Sequence, residues 1–445
     1  MNCDIIISDC SVLSKDFKIL EHRSVAIGDT RILAVRPAGE VEQLYEADEV
    51  LDGSGKLLMP GFNDGHTHTC QQLLRGRTAV EYPMIWTRFL VPFESSLTPE
   101  DVRVSADLHC LEMIKAGFTG FADAGGVHMD QVAEAVIASG MRAALTKSSM
   151  DSGPAITDRM KESCEDNIRH TEELYRAYQG SGDGRVDIWF GIRQVMTCSS
   201  KLVRMVGEKA AEYHTGIHAH LCEHKDEVSF CLQNYRMRPA EFLNEMGVLG
   251  PNLLTAHNVL LSEHDITLMA EKQVKVIHCP RSNFSNHGFP KTPRMLECGI
   301  NIGIGCDGAS SVSLDMFEEL RILKHGIVSY WGLPVFDPVV LPMKELLKMA
   351  TIGGAVAMGH GDEIGTVEEG KLADLILVNI RQPHLYPTQN LCNTLVAAGR
   401  GSDVTDSIIN GRLVMKDRQV LTIDEEKVLA DSAQHMEEIV RRAGI

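Results

Sequence analysis

Between residues 60 and 360, short apolar runs alternate with longer stretches in which apolar residues recur every three or four positions. The short runs are Gly117–Ala122, Arg142–Leu145, Val186–Phe190, Gly216–Ala219, Asn252–Ala256, Val274–Ile277 and Ile300–Gly305. Brief apolar runs bounded by turn residues predict buried strands, and the spacing in Pro99–Lys115 and Lys201–Tyr213 predicts helices. With a strand entering at Leu57–Met59 the pattern makes eight strand–helix units. A helix between two strands returns the chain parallel to its start, so eight units in about 300 residues predict an α/β fold of the closed (β/α)8 TIM-barrel type.

The flanks follow a different rule. Residues 1–59 carry β-type runs at Asp4–Ser8, Ser24–Ile27 and Arg31–Val35, separated by polar turns. Near the other end, Leu372–Val378 is nearly continuous apolar sequence, and Ser407–Ile409 passes through Asn410-Gly411 into Arg412–Met415, a hairpin signal. The two ends are expected to pair into one small discontinuous β-sandwich, from 1–59 and 361–423, around a barrel at 60–360. A charged, helix-patterned tail at 424–445 completes the chain.

Of the 445 residues, 44% are apolar, enough for a large core, and the net charge is −18. Such a surface repels phosphate backbones and anionic lipid, so nucleic acid and membranes are not expected partners. The 12 cysteines include no C-x-x-C pair, and thiols scattered in this way fit a reducing compartment. With no basic-then-apolar leader and no apolar window of about 18 residues, the expected location is cytoplasmic.

The chemistry-bearing residues gather at predicted strand ends. Asp64-Gly65-His66-Thr67-His68 follows the first strand, and alternate residues of an extended backbone point the same way, so His66 and His68 can bind one ion. The fifth strand ends Ile217-His218-Ala219-His220-Leu221-Cys222-Glu223. His218 and His220 share a parity, and spacing does not choose between them as a third ligand; Glu223 offers a carboxylate for proton transfer. His257 ends the sixth strand and Asp307 follows the eighth. Three neutral nitrogens, one carboxylate and an open position match catalytic zinc, with Fe(II) and Mn(II) as alternatives.

Two patterns are incidental. Gly303-x-Gly305-x-x-Gly308 spells a dinucleotide fingerprint but lies in the last unit, with no following acidic residue to hold a ribose. Gly365–Leu372 approaches a phosphate loop, yet Leu372 replaces its hydroxyl residue and a strand follows it. H-E-x-x-H and G-x-S-x-G are both missing from the sequence, which argues against zincin proteases and serine hydrolases.

Taken as a set, Leu58-Met59-Pro60-Gly61-Phe62-Asn63-Asp64-Gly65-His66-Thr67-His68, Leu73-Leu74-Arg75-Gly76, His220 with Glu223, Ala256-His257, His278-Cys279-Pro280-Arg281-Ser282-Asn283, Asp307-Gly308 and Glu369-Gly370-Lys371-Leu372-Ala373-Asp374 resemble the amidohydrolase superfamily, in its cytosine deaminase-like branch of aminohydrolases and chlorohydrolases. The resemblance runs nearly end to end. It implies one divalent metal, with Zn2+ favoured and Fe2+ or Mn2+ as alternatives, held by His66, His68, His220 and Asp307. It also implies Glu223 as proton shuttle and His257 as partner of the attacking hydroxide. A bridging lysine, which two-metal members carry on the fourth strand, is missing from Gly191–Val195.

The implied reaction is hydrolytic deamination of an aminated N-heterocycle. Arg193, with the Cys-Ser pair at 198–199, and Gln71 are similar to guanine deaminases and suit a lactam edge. A guanine-, oxoguanine- or pterin-like bicycle is therefore the expected substrate. Trp86, Glu94 and Asp307-Gly308-Ala309-Ser310-Ser311 instead resemble deaminases of methylthioadenosine and S-adenosylhomocysteine, in which the matching glutamate grips ribose hydroxyls. Adenosine derivatives are thus the alternative, with s-triazine amino- or chlorohydrolysis as a further one. A salt bridge at the barrel rim is the bland explanation of Arg193, and loss of the ligands, as in scaffold members of the superfamily, is opposed by their presence. A homodimer or larger homo-oligomer is the family-level expectation.

Overall fold

A computed structural model describes residues 1–78, 85–153, 156–308 and 313–445. Ala309–Ser311, part of the adenosine-type resemblance, lie outside the described residues.

Eight strands form one sheet in chain order: Phe62–Thr67, Phe118–Gly126, Arg142–Lys147, Val186–Ile192, Ile217–Leu221, Leu253–His257, Lys275–His278 and Ile302–Ile304. Every neighbouring pair is parallel. The first and eighth strands meet through a short seam. The Asp307 N–H donates to the His66 carbonyl at 2.9 Å, and Asp64 Oδ1 accepts from both His66 N, at 3.0 Å, and Cys306 N, at 3.2 Å. Gly305 lies so close that a Cβ there would sit 2.8 Å from the His66 backbone nitrogen and oxygen. The result is a TIM-type barrel, whose chemistry belongs at the C-terminal ends of its strands.

The ends of the chain build a second, mixed sheet of nine strands. Its centre is Lys56–Pro60, which runs parallel to Asn2–Leu13 on one side and antiparallel to Leu375–Asn379 on the other. Ile5, Val12, Ile27, Leu58, Leu375 and Ile408 share one apolar core there, so neither end can bury its strands without the other. Asn410 and Gly411 both have positive φ, 51° and 76°, as the tight hairpin between Val404–Ile409 and Arg412–Lys416 requires. Arg142, at the start of the third barrel strand, ties the two sheets together. Its Nε donates to Asp374 Oδ2 at 2.8 Å, and the Asn410 N–H donates to Asp374 Oδ1 at 2.7 Å.

One expectation about the strands is corrected. Leu57–Met59 belongs to the end sheet, and the first barrel strand begins only at Phe62. Pro60-Gly61 marks the crossing, with the Gly61 N–H on the Asp374 carbonyl at 3.0 Å. His66 therefore sits within the strand and not after it. A strand at Glu46–Asp52 was also not anticipated; it pairs parallel with Asn2–Leu13 and keeps only Leu51 buried. The tail forms a helix at Glu425–Ala443, capped by Asp424, that lies along Pro99–Ala116. There Asp101 accepts from His435 and Arg442. Among the described residues no helix is long and apolar enough to cross a membrane.

Candidate active site

His66, His68, His220 and Asp307 converge at the C-terminal mouth of the barrel. His66 Nε2 lies 3.1 Å and His68 Nε2 3.5 Å from Asp307 Oδ1, and His220 Nε2 lies 3.3 Å from His68 Nε2. Donors tetrahedrally placed around an ion at about 2.1 Å would be separated by about 3.4 Å. The four atoms thus stand where one divalent metal needs them. Burial pushes the His66 imidazole down to about 3, and those of His218 and His220 well below their ordinary value. Uncharged rings are the form that binds a metal.

The two histidines of the fifth strand divide their work. His220 places a nitrogen in the group that could hold a metal, whereas His218 Nε2 lies 2.8 Å from His66 Nδ1. That contact fixes the His66 ring so that its other nitrogen faces the site. Asp307 keeps one oxygen for the metal position and accepts from the Ser282 hydroxyl on the other, at 2.6 Å. Its carboxyl is held well below the usual range: burial raises it, but His257 and His66 outweigh that.

Beside this cluster, Glu223 Oε1 lies 3.9 Å from His257 Nε2. His257 donates through Nδ1 to Asn283 Oδ1 at 2.9 Å, and its Nε2 is buried without a partner. Burial pushes Glu223 up, but His257 and His287 overcome that and bring the carboxyl down to about 2. Cys222, His257, Asn258 and Asp307 all have φ between 50° and 71°. Non-glycine residues rarely adopt this conformation, and such strain concentrates where side chains must be aimed.

Arg193, Gln71 and Glu94 form a separate buried knot. Arg193 Nη2 donates to Glu94 Oε1 at 3.0 Å and Nη1 to the Gly125 carbonyl at 2.8 Å, while Gln71 Nε2 donates to the same Glu94 oxygen at 2.6 Å. Both side chains thus hold Glu94, and Arg193 also holds the backbone, as in the salt-bridge explanation of Arg193. Glu94, 1% exposed, keeps Oε2 without a partner and borders a cavity of about 690 Å3 that also touches Lys147, Met150, Arg159 and Met160. None of the four donors lines this cavity. Trp86 packs near it, against Val91, Met150, Ile156 and Met160.

Residues 57–414 match the amidohydrolase family. The chain belongs to this family. A 5-methylthioadenosine/S-adenosylhomocysteine deaminase of Pelotomaculum thermopropionicum is 37% identical to this amidohydrolase over 99% of both chains. A 5'-deoxyadenosine deaminase of Methanosarcina acetivorans is 36% identical, again over 99% of each. Among solved structures, an adenosine deaminase from Xanthomonas campestris with bound zinc superposes with a TM-score of 0.92 at 28% identity, covering 99% of both chains.

Sequence reasoning passed over four side chains of this amidohydrolase site. Ser282 and Asn283 stand inside the His278–Asn283 motif, which carried the resemblance without a role for either. Gln194 Nε2 donates to Glu223 Oε2 at 3.0 Å and directly follows Arg193. His287 Nε2 lies 3.1 Å from Glu223 Oε1; it sits in an irregular turn, Asn283–His287, where no periodicity marks it.

Proposed function

We propose that this amidohydrolase is a zinc-dependent deaminase of adenosines altered at the 5' position, such as methylthioadenosine, S-adenosylhomocysteine or 5'-deoxyadenosine. The observation that carries the proposal is Glu94: one oxygen is pinned by Arg193 and Gln71, and the other is a bare acceptor beside a cavity. A ribose diol satisfies such an acceptor, whereas a guanine or pterin base brings no diol. The names of the relatives support the same substrate class, and the zinc-bound neighbour supports the metal. They do not support the guanine-, oxoguanine- or pterin-like substrate expected from Arg193 and Gln71.

His66, His68, His220 and Asp307 would hold the ion, which supplies the acidity that makes a water reactive near neutral pH. Glu223, ionised at rest, takes one proton from the attacking water and passes it to the ring nitrogen beside the amino-bearing carbon. Asp307, its second oxygen steadied by Ser282, accepts the other proton and returns it to the amino group, which leaves as ammonia. His257, locked by Asn283, presents Nε2 to the attacking oxygen. The ring keeps the oxygen and one proton, so water and amine are exchanged in balance.

The test is ammonia release from methylthioadenosine, S-adenosylhomocysteine and 5'-deoxyadenosine against guanine, 8-oxoguanine and isoxanthopterin. The adenosines should be turned over, and their 2',3'-dideoxy forms should lose about tenfold or more in kcat/KM, the usual cost of leaving a buried acceptor unpaired. Preferred turnover of guanine, or indifference to the missing hydroxyls, would overturn the proposal.

A further inference from the structure

We infer that His287 is a positioning residue for the proton shuttle, holding Glu223 in the ionised, correctly turned state from which it begins the reaction. The inference rests on the deaminase reading above. Three observations carry it. First, His287 Nε2 lies 3.1 Å from Glu223 Oε1, and Gln194 Nε2 reaches Oε2 at 3.0 Å. One carboxylate oxygen thus accepts a hydrogen bond from Gln194 and the other faces the His287 ring at ion-pair distance, the two neighbours coming from different loops. Second, His287 has a side-chain exposure of only 7%. A histidine so enclosed beside a carboxylate has a partner by design of the turn that carries it, and here Gly288, at φ 125° and ψ −160°, ends that turn in a conformation open only to glycine.

Third, His287 completes a file of rings around Glu223. Its ring centroid is 6.0 Å from that of His257 and 5.8 Å from that of His224, both edge-on. The groups facing it are therefore Glu223 and His224 from the loop after the fifth strand and His257 from the sixth. On its own turn Asn286 lies 3.2 Å from Nε2 through its side-chain amide. Only Glu223 is a carboxylate among these, and it also faces His257 at 3.9 Å. A histidine ring within ion-pair range of Glu223 favours the charged form of the carboxyl, which is the form that can take a proton from water. Among the described residues His287 has no recorded contact with the four proposed metal donors; its neighbours in the reacting group are Glu223 and, edge-on, His257.

The test uses the zinc-loaded full chain with methylthioadenosine, comparing the unsubstituted enzyme with His287→Phe and His287→Gln. His287→Phe should keep one equivalent of zinc and its melting temperature, keep KM within about twofold, and lose about tenfold or more in kcat. His287→Gln, which restores a polar N–H beside Glu223, should recover most of the rate. A loss confined to KM, or equal losses in both variants, would overturn the assignment. Failure of the unsubstituted enzyme on every adenosine would instead overturn the deaminase reading, which keeps the two outcomes apart.

Discussion

Glu223 shows how much a single carboxyl depends on what surrounds it. Isolated in an apolar pocket it would hold its proton, yet His257 and His287 bring it down to about 2. Glu223→Gln preserves the shape and the contact with Gln194 but cannot carry a proton. Zinc content should be unchanged and kcat should fall by about 10²–10⁴; retained turnover would remove Glu223 as the shuttle. Glu319 is the opposite case. Burial lifts its carboxyl to about 8 although the Arg281 N–H donates to it at 2.9 Å. Because the folded value lies above that of the unfolded chain, near 4.3, the stability linked to this proton is fully present below about pH 4 and is lost as pH rises through about 8. Glu319→Gln removes that titration, so its melting temperature should fall less than that of the unsubstituted protein between pH 5 and 8.5. Parallel curves would show that Glu319 contributes nothing to the slope. At this scale motif position and strand parity mark His66, His68, Glu223, His257 and Asp307 as candidates, and the structure brings them together. The sequence left His218 and His220 undivided, since both share one parity and only the ring contact with His66 separates them. The pairing of Arg193 with Glu94 was hidden for a related reason: a guanidinium looks the same in sequence whether it faces a ligand or a buried glutamate.

The strands were legible wherever an apolar run was bounded by turn residues, and seven of the runs picked out in the sequence overlap barrel strands of the structure. The eighth did not, because the apolar run Leu57–Met59 belongs to the end sheet, while the barrel strand Phe62–Thr67 reads Phe-Asn-Asp-Gly-His-Thr and has no apolar run to mark it. Glu46–Asp52 escaped notice because it is an edge strand with one buried residue and no apolar run to betray it. Closure of the barrel depends on Gly305 in the same local manner. A methyl group there would meet the His66 backbone at 2.8 Å, and overpacking of this kind costs about 1–3 kcal/mol. Gly305→Ala should therefore melt earlier and, because His66 is pushed off its place, retain well under one equivalent of zinc after gel filtration. Normal melting with full zinc would mean that the seam yields without disturbing the ligand.

At the scale of the whole molecule, the end sheet and the barrel share one apolar core, where Met59, Ile376 and Val404 join the cluster of Phe62, Ile114 and Phe118, and a buried ion pair spans the same junction. Arg142 and Asp374 are each about 1% exposed and hold the barrel to the sheet made from both chain ends. Removing one partner of a buried pair leaves the other charge stranded, at a cost of about 3–5 kcal/mol. Asp374→Ala should lower the denaturation midpoint accordingly while leaving kcat at low temperature unchanged, since the pair lies at the opposite ends of the strands from the metal position. A midpoint within experimental error of the unsubstituted protein would show that the two sheets hold together without it. The pairing of distant ends could be anticipated because each end alone has too few strands to cover its own apolar face. The seam has one more consequence, which concerns the making of the protein. His66 and Asp307 are 241 residues apart, so at about 5–20 residues per second the first histidine leaves the ribosome roughly 10–50 s before its carboxylate partner. During that interval the nascent chain carries a His-x-His that any passing metal can visit but that lacks two of its four donors until His220 is made, and one thereafter. Stable loading has to await the closing strand, which makes captured zinc a record that synthesis and barrel closure are both complete.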